Sequence, residues 1–362
     1  MAQADAGTAD SMIGYLKAGL GRRLFPVVGK VSRLSGKRYA VAIPGGDGST
    51  GGPNTFRANF CRAAAGIGVT TTNSVYGKFD SLLVVQQYDS LVLKTLKSWG
   101  VRMVQRLDGM AYEEWAGPDW RAMNEPVQRV YAEIADAVIF QSNYAARQAD
   151  YFLGARHPKS SVVPNGADRS LYFPEGTDRP GGPLRLLTTG NFRLPDLLKP
   201  QVELIELLRR RGHEVVLRVA GPVPDRELRS LLDREGIVYL GKLDGAAIAS
   251  ELRMADAFLF SMLNAACPNS VVEAISCGVP VIGYESGSLP ELCWFNADLL
   301  APIGQRLIHR AEDADPEILL VAFEKWLANP KIYREQALDH ADSWNLKRMM
   351  DQYLEILLPD DG

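Results

Sequence analysis

The sequence is short of the residues that build metal centres and disulfide frameworks. Its 362 residues include four cysteines and four histidines. The cysteines are not arranged in C-x-x-C pairs, which argues against a structural zinc site and against a set of disulfides. Free thiols in a reducing compartment are therefore expected, and a cytoplasmic location is predicted.

Long apolar runs and strong charge of one sign are also missing. The sequence has no run of 18 apolar residues and no signal-peptide pattern, so neither a membrane span nor secretion is expected. The formal net charge is only -3. Because no block of basic residues alternates with aromatic ones, nucleic acid is not expected as a partner.

What remains is typical of an α/β protein with two domains. A chain of 362 residues with 46% hydrophobic content suits two domains of roughly 150 residues each. Apolar segments alternate with helical patterns, which predicts doubly wound sheets. Strands are predicted at residues 38–44, 69–72, 81–86, 102–107, 137–140 and 161–163, and then at 184–189, 215–220, 238–240, 257–260, 279–283 and 298–301.

The most informative stretch runs from Ala265 to Leu292 and predicts a loop, a helix, a buried strand and the start of a second helix. Ser270 and Glu273 fit the S-x-x-E capping box that opens a helix. Helix N-termini are expected near Ser270 and Ser288, on either side of the strand. Unpaired N–H groups and the partial positive charge of a helix N-terminus suit a diphosphate.

The segment CPNSVVEAISCGVPVIGYESGSLPEL resembles the donor-nucleotide motif of retaining glycosyltransferase family 4, whose members have the GT-B fold. The resemblance implies two Rossmann-like doubly wound domains that face each other across a cleft, with a C-terminal helix crossing back to the first domain. It also implies transfer of a sugar from a nucleoside-diphosphate sugar, without another cofactor and without a metal. The implied acceptor is a hydroxyl of a carbohydrate, a lipid-linked glycan or a small molecule.

Glu273 falls on the second glutamate of the family motif, which holds the ribose hydroxyls; helix capping is the alternative role. The family's first glutamate contacts the transferred sugar, and Ala265 stands in its place. A GT-B protein that binds nucleotide or glycan without turnover is therefore the alternative function, and a nucleotide-sugar epimerase is a second one. The other donor-binding residues implied by the resemblance are Asn269, Ser270, Gly287, Ser288 and Leu243.

The predicted catalytic residues follow strands of both domains. Arg193 and Lys199 match the arginine and lysine with which the family neutralises the donor diphosphate, a role that suits their charge and geometry. Asp108 follows a predicted strand, at the carboxyl edge where open α/β sheets bind ligands. It is expected either to orient an acceptor hydroxyl or to bond within its own turn.

The first domain also supplies the predicted acceptor cleft. Gly51 and Gly52 match the family's GG loop, for which a loose surface loop is the alternative. Arg106 is a cleft candidate because it lies beside Asp108 at the same sheet edge. Ser142 and Asn165 match the end of the family's first domain.

The predicted domain boundaries follow from these matches and from the composition of the linker. Residues 11–38 are basic and contain no acid, so they either contact an anionic membrane surface peripherally, at the inner membrane, or form a solvated leader. The predicted parts are a basic leader (1–37), an acceptor domain (38–167), a linker (168–183), a donor domain (184–343) and a C-terminal helix that returns to the first domain (344–362).

Overall fold

The structure is a computed structural model, and it describes residues 25–30, 33, 37–45, 52–175 and 181–359. Gly51 and most of the basic segment 11–38 lie outside these residues. The contacts predicted for them, with an acceptor and with a membrane surface, therefore stay predictions.

The first domain is built on a parallel sheet of six strands in the order β2-β1-β3-β4-β5-β6. Its central strands are almost wholly buried, as expected for a parallel sheet that is covered on both faces. The strands are β1 Arg38–Ala42, β2 Thr71–Thr72, β3 Lys78–Val85, β4 Arg102–Leu107, β5 Ala137–Phe140 and β6 Ser160–Val162.

Helices cover both faces of this sheet, and several begin at capping side chains. Asp89 accepts hydrogen bonds from two backbone N–H groups at the start of the helix Ser90–Ser98, and Ser142 accepts one at the start of the helix Asn143–Leu153. Residues 25–30 are helical as well. The helices are α1 Gly52–Gly66, α2 Ser90–Ser98, α3 Glu113–Ala116, α4 Trp120–Arg129, which continues into a π-helical turn at Val130–Ile134, and α5 Asn143–Leu153.

The second domain repeats this architecture with a parallel sheet in the order β12-β11-β10-β7-β8-β9. The strands are β7 Leu184–Thr189, β8 Val215–Ala220, β9 Ile237–Gly241, β10 Ala257–Phe260, β11 Val281–Tyr284 and β12 Leu300–Ala301. The helices are α6 Lys199–Arg210, α7 Arg226–Ser230, α8 Gly245–Met254, α9 Asn269–Ser276, α10 Leu289–Leu292, α11 Pro316–Ala328 and α12 Pro330–Asp339. The two six-stranded sheets confirm the predicted doubly wound, two-domain fold.

The last helix, α13 (Leu346–Leu357), packs on the first domain. Its Met349, Met350 and Tyr353 belong to the same hydrophobic cluster as Phe56 and Phe60 of α1. Tyr353 lies edge-on to Phe60, with 5.7 Å between the ring centroids. The predicted return of the C-terminal helix to the first domain is therefore confirmed.

The chain crosses between the domains twice, and the two crossings run side by side. Ala167 donates its N–H to the carbonyl of Trp344, and Leu346 donates its N–H to the carbonyl of Ala167, both at 2.9 Å. A Cβ on Gly166 would lie 2.5 Å from the carbonyl oxygen of Asn345, so a side chain does not fit there. Among the described residues, no helix is long and apolar enough to span a membrane.

Candidate functional site

Loops that follow strands of the two sheets meet between the domains. Ser142, which follows β5, donates its hydroxyl to the carbonyl of Ala266 in the loop after β10, at 2.5 Å. Asn165, which follows β6, donates its amide to the carbonyl of Cys267 and to the side-chain oxygen of Asn269, both at 2.8 Å. Ligands of open α/β sheets bind at the carboxyl ends of the strands. The candidate active site therefore lies at this meeting of loops.

Helix α9 begins two residues earlier than the sequence pattern predicts. It starts at Asn269 with Pro268 at the N-cap, and no side chain caps it. The capping box predicted for Ser270 and Glu273 is therefore wrong, because Ser270 already lies in the first turn. A helix start without a side-chain cap leaves backbone N–H groups for a ligand, which suits an anion.

Glu273 projects from α9 toward the segment that joins the domains, where its partner is Tyr172. Burial raises the pKa of the Glu273 carboxyl to about 8, and the hydrogen bond from Tyr172 offsets this only in part. Burial also raises the pKa of the Tyr172 hydroxyl, and the neighbouring Glu273 adds to this effect. The carboxyl thus accepts an O–H donor, the type of group that a ribose would offer. The ribose role of Glu273 stays a prediction.

The second loop of the motif packs directly against the first. Gly287 has a φ of 63°. A Cβ there would lie 2.5 Å from the carbonyl oxygen of Ala265, so this position requires glycine. Ser288 is fully buried and donates its N–H to the same carbonyl at 2.8 Å. This corrects the prediction that Ser288 offers a backbone N–H to the donor, because that group is already bonded inside the protein.

Arg193 follows β7, Lys199 is the first residue of α6, and both side chains are exposed. Their role at the donor diphosphate stays a prediction. Lys199 is the first residue of a 12-residue helix that has no acid in its first turn and no side-chain cap. A cation at the positive end of the helix dipole is unfavourable unless an anion binds there. Its ion pair with Glu203, at 3.7 Å, is exposed and stabilises little.

Arg106 does not line the cleft. Its side chain is 1% exposed, with Nε on the Tyr353 hydroxyl and Nη2 on the side-chain oxygen of Asn165, both at 3.0 Å. Its Nη1 donates to Asp108, and its guanidinium lies 3.7 Å from the centroid of the Phe56 ring. The prediction that Arg106 contacts an acceptor is therefore wrong, because its polar atoms are bonded inside the fold.

Asp108 keeps one oxygen for which the protein provides no partner. Its Oδ1 accepts from Arg106 and, at 2.7 Å, from the amide of Gln141. Its Oδ2 is buried without a hydrogen bond, and the side chain is 13% exposed. This arrangement leaves the acceptor-orienting role of Asp108 as a prediction and shows that Arg106 holds the carboxylate in place.

Leu243 and Gly52 occupy positions compatible with the predicted roles, which stay predictions. Leu243 is half-buried in the turn after β9, directly before Asp244, which caps α8. Gly52 is exposed at the start of α1, and a Cβ there would meet no atom of the described residues within 4 Å.

Glu291 is an interdomain contact that the sequence pattern did not reveal. Its two carboxylate oxygens accept hydrogen bonds from the backbone N–H groups of Asn143 and Tyr144, at 2.7 and 2.6 Å, at the start of α5 in the other domain. The Tyr144 hydroxyl also donates to the carbonyl of Leu307 at 2.9 Å. These hydrogen bonds hold Glu291 and the segment around Leu307 against the first domain. Glu291 belongs to the quoted motif, but its partners lie far away in the sequence.

The two domains each contain a six-stranded parallel sheet, and the loops after their strands meet between the domains. This arrangement defines the fold as GT-B. Residues 183–310 match the family model described as glycosyl transferases group 1. The resemblance to glycosyltransferases is thereby confirmed at this level for the second domain, and membership of family 4 stays a prediction. No curated protein sequence matches the chain.

Solved glycosyltransferase structures share the fold over nearly the whole chain. Sucrose-phosphate synthase from Thermosynechococcus elongatus superposes with a TM-score of 0.70 at 15% identity, covering 88% of this chain and 98% of that one. A glycosyltransferase from Rickettsia africae gives 0.65 at 11% identity, covering 90% and 100%. Anabaena Alr3699/HepE in complex with UDP-glucose gives 0.63 at 13% identity, covering 88% and 99%. At these identities the similarity establishes the fold.

Proposed function

We propose that this protein is a retaining glycosyltransferase that moves a sugar from a nucleoside-diphosphate sugar to an acceptor hydroxyl. The family match of the second domain supports transfer from a nucleotide sugar. A carbohydrate and a lipid-linked glycan both remain candidate acceptors. A lipid-linked acceptor would fit peripheral membrane contact through residues 11–38.

The observation that carries the proposal is the exposed cation pair at the uncapped start of α6. Lys199 lies at a helix N-terminus without a neighbouring acid in the first turn, and Arg193 is exposed in the loop that precedes it. A diphosphate would receive charge from both side chains and from the helix dipole. Among the described residues, no group of three or more His, Cys, Asp or Glu could hold a metal. We assign stabilisation of the leaving diphosphate to Arg193 and Lys199, because both side chains are exposed at or just before the start of this helix.

The proposed step is a substitution at the anomeric carbon with retention of configuration. The bond between this carbon and the diphosphate oxygen breaks while the acceptor oxygen forms its bond on the same face. A phosphate oxygen of the leaving group takes the acceptor proton, so the mechanism needs no side-chain base. Asp108, whose side chain is 13% exposed, would orient the acceptor, and Glu273 would hold the ribose.

A nucleotide screen followed by product analysis tests the proposal. The protein is heated with millimolar UDP, GDP, ADP, dTDP or CDP, beginning with UDP because the Anabaena structure binds UDP-glucose. We expect one nucleotide to raise the melting temperature, since a ligand at about 100 times its Kd stabilises by about 2.7 kcal/mol. Sugar nucleotides of that base should then give transfer or slow hydrolysis. Binding to none of the five would count against the proposal.

A second candidate is a GT-B protein that binds nucleotide without transferring sugar. It is favoured by Ala265, whose methyl group is buried where the family places a glutamate for the transferred sugar. The carbonyl of Ala265 is already bonded to Ser288. This candidate predicts a melting shift with nucleotide but no product from any sugar nucleotide, so the same experiment separates the two functions.

Replacing Arg193 and Lys199 together by alanine should lower turnover by about 100-fold, because charge developing on the diphosphate loses its side-chain cations. The melting temperature should hardly change, since both side chains are exposed. Steady-state kinetics with the sugar nucleotide found by the screen measures the effect. The control removes two exposed cations elsewhere in the same domain, Arg210→Ala with Lys331→Ala. Equal turnover in the two double variants would remove Arg193 and Lys199 from the site.

A further inference from the structure

A pocket of about 400 Å³ lies where the chain crosses between the domains, away from the residues assigned to the donor. Three parts of the chain line it: the end of the first domain from Val162 to Asn165, Trp294 after α10, and residues 343–352, which include the second crossing and the start of α13. Pockets of this size are typical of sites for small molecules.

Trp294 provides a fixed aromatic wall at this pocket. Its indole is 57% exposed although it is one of the largest apolar side chains. It packs edge-on against His340, with 4.6 Å between the ring centroids, and His340 in turn stacks on Phe295 at 4.5 Å. The ring is thus held in position before any ligand arrives, so binding costs little side-chain entropy.

Polar side chains on α13 face the same pocket. Arg348 and Gln352 are one helical turn apart, so both lie on one side of the helix. In the part of the chain that the structure describes, neither side chain has a hydrogen-bond partner or an ion pair within the protein. Ser343 also lines the pocket. Their donors and acceptors are therefore available to a ligand.

We propose that this pocket is a second binding site and that its ligand is a saccharide of one or two rings. A sugar ring combines an apolar C–H face, which stacks on an aromatic side chain, with hydroxyls around its rim. Trp294 supplies the stacking surface, while Arg348 and Gln352 supply hydrogen bonds to the hydroxyls. Arg348 is exposed and Gln352 is half-buried, so both can bond to hydroxyls of a bound sugar, and a volume of about 400 Å³ accommodates one or two rings.

The pocket is connected to the candidate active site through Asn165. This residue lines the pocket, and its amide also bonds to Asn269 and to the carbonyl of Cys267 in the donor loop. Trp344 and Asn345, from the second crossing, line it too. A saccharide in the pocket would thus contact both crossings of the chain and favour the domain arrangement in which they lie side by side. The inference goes beyond the proposed function, because binding needs no sugar transfer.

Titration calorimetry on the full chain tests the proposal with glucose, N-acetylglucosamine, maltose and sodium glucuronate. We expect saturable binding of at least one of them, and Trp294→Ala should weaken it about tenfold or more, because the stacking surface is lost. The matched control is Trp115→Ala, which removes a comparably exposed indole (52%) on the first domain and should bind as the unchanged protein does. Arg348→Ala should weaken glucuronate more than glucose, since only glucuronate carries a charge.

Two results would overturn the inference: no saturable binding of any of the four sugars, or binding that Trp294→Ala leaves unchanged. Circular dichroism checks that each variant is folded. If Trp294→Ala does not fold, Gln352→Ala provides the same test from the other wall of the pocket. The nucleotide-induced melting shift should persist in these variants, which separates failure of this site from failure of the proposed function.

Discussion

Glu273→Gln is expected to make the protein more stable and, at the same time, weaker in binding nucleotide. The stability change follows from the pKa of Glu273, which burial raises from 4.5 to about 8. Between these values the folded protein keeps a proton that the unfolded chain has released. Stability therefore falls as pH rises through this window. Glutamine does not titrate, so the variant avoids this loss, which amounts to about 4 kcal/mol at pH 8 and vanishes near pH 4.5.

The effect on nucleotide affinity has the opposite sign. A carboxylate accepts hydrogen bonds worth about 1.5–3 kcal/mol each from ribose hydroxyls, which is more than a neutral amide provides. Above pH 8, where the carboxyl of the unchanged protein is charged, the variant should therefore bind nucleotide about 10- to 100-fold more weakly. Because the charged carboxylate is the better acceptor, affinity in the unchanged protein should rise as pH increases toward and above 8, and Glu273→Gln should remove this rise.

Denaturant unfolding at pH 5, 7 and 8.5 measures the first effect, and calorimetric titration with nucleotide measures the second. Glu355→Gln, an exposed glutamate on α13, is the control and should change neither quantity. Equal affinity in Glu273→Gln and the unchanged protein would leave Glu273 a structural partner of Tyr172 only. If Glu273→Gln and the unchanged protein were equally stable at each of the three pH values, the Glu273 carboxyl would remain charged in the folded protein.

The fold could be predicted in detail because parallel strands buried on both faces are continuous apolar runs. The predicted bounds of β7, β8 and β10 agree with the structure residue for residue. The strand predicted at residues 279–283 begins only at Val281. Pro280 has no N–H to contribute to the sheet, and its carbonyl alone bonds to β10, at Phe258. Strand ends depend on such single hydrogen bonds, which apolar patterns do not encode.

The site could be predicted only as positions along the chain. The sequence placed Arg106 at the carboxyl edge of a strand, where the structure also has it, but could not show that Tyr353, 247 residues away, takes one of its N–H groups. It likewise could not show that Ala265 takes the N–H of Ser288, or that Tyr172 reaches Glu273. Whether a polar group is free for a ligand depends on contacts between distant segments.

The buried position of Arg106 leads to a large expected effect on stability. Arg106→Met removes a charge that bonds to Asp108, Tyr353 and Asn165 inside the fold. Asp108 is then left with Gln141 alone and without a cation. Breaking a buried ion pair from one side usually costs about 3–5 kcal/mol, so we expect a loss of this size in denaturant unfolding.

The matched variants distinguish the charge pair from simple loss of packing. Arg106→Lys should recover little stability, because an ammonium group cannot reach three partners in the planar geometry of a guanidinium. Arg106→Met combined with Asp108→Asn should recover a large part, since no unpaired charge then remains buried. If the double variant were as unstable as Arg106→Met alone, the lost bonds to Tyr353 and Asn165 would account for the effect. Tyr353 lies on α13, and Asn165 lies where the chain leaves the first domain for the second. Arg106 would then stabilise the connection between the domains rather than the carboxylate of Asp108.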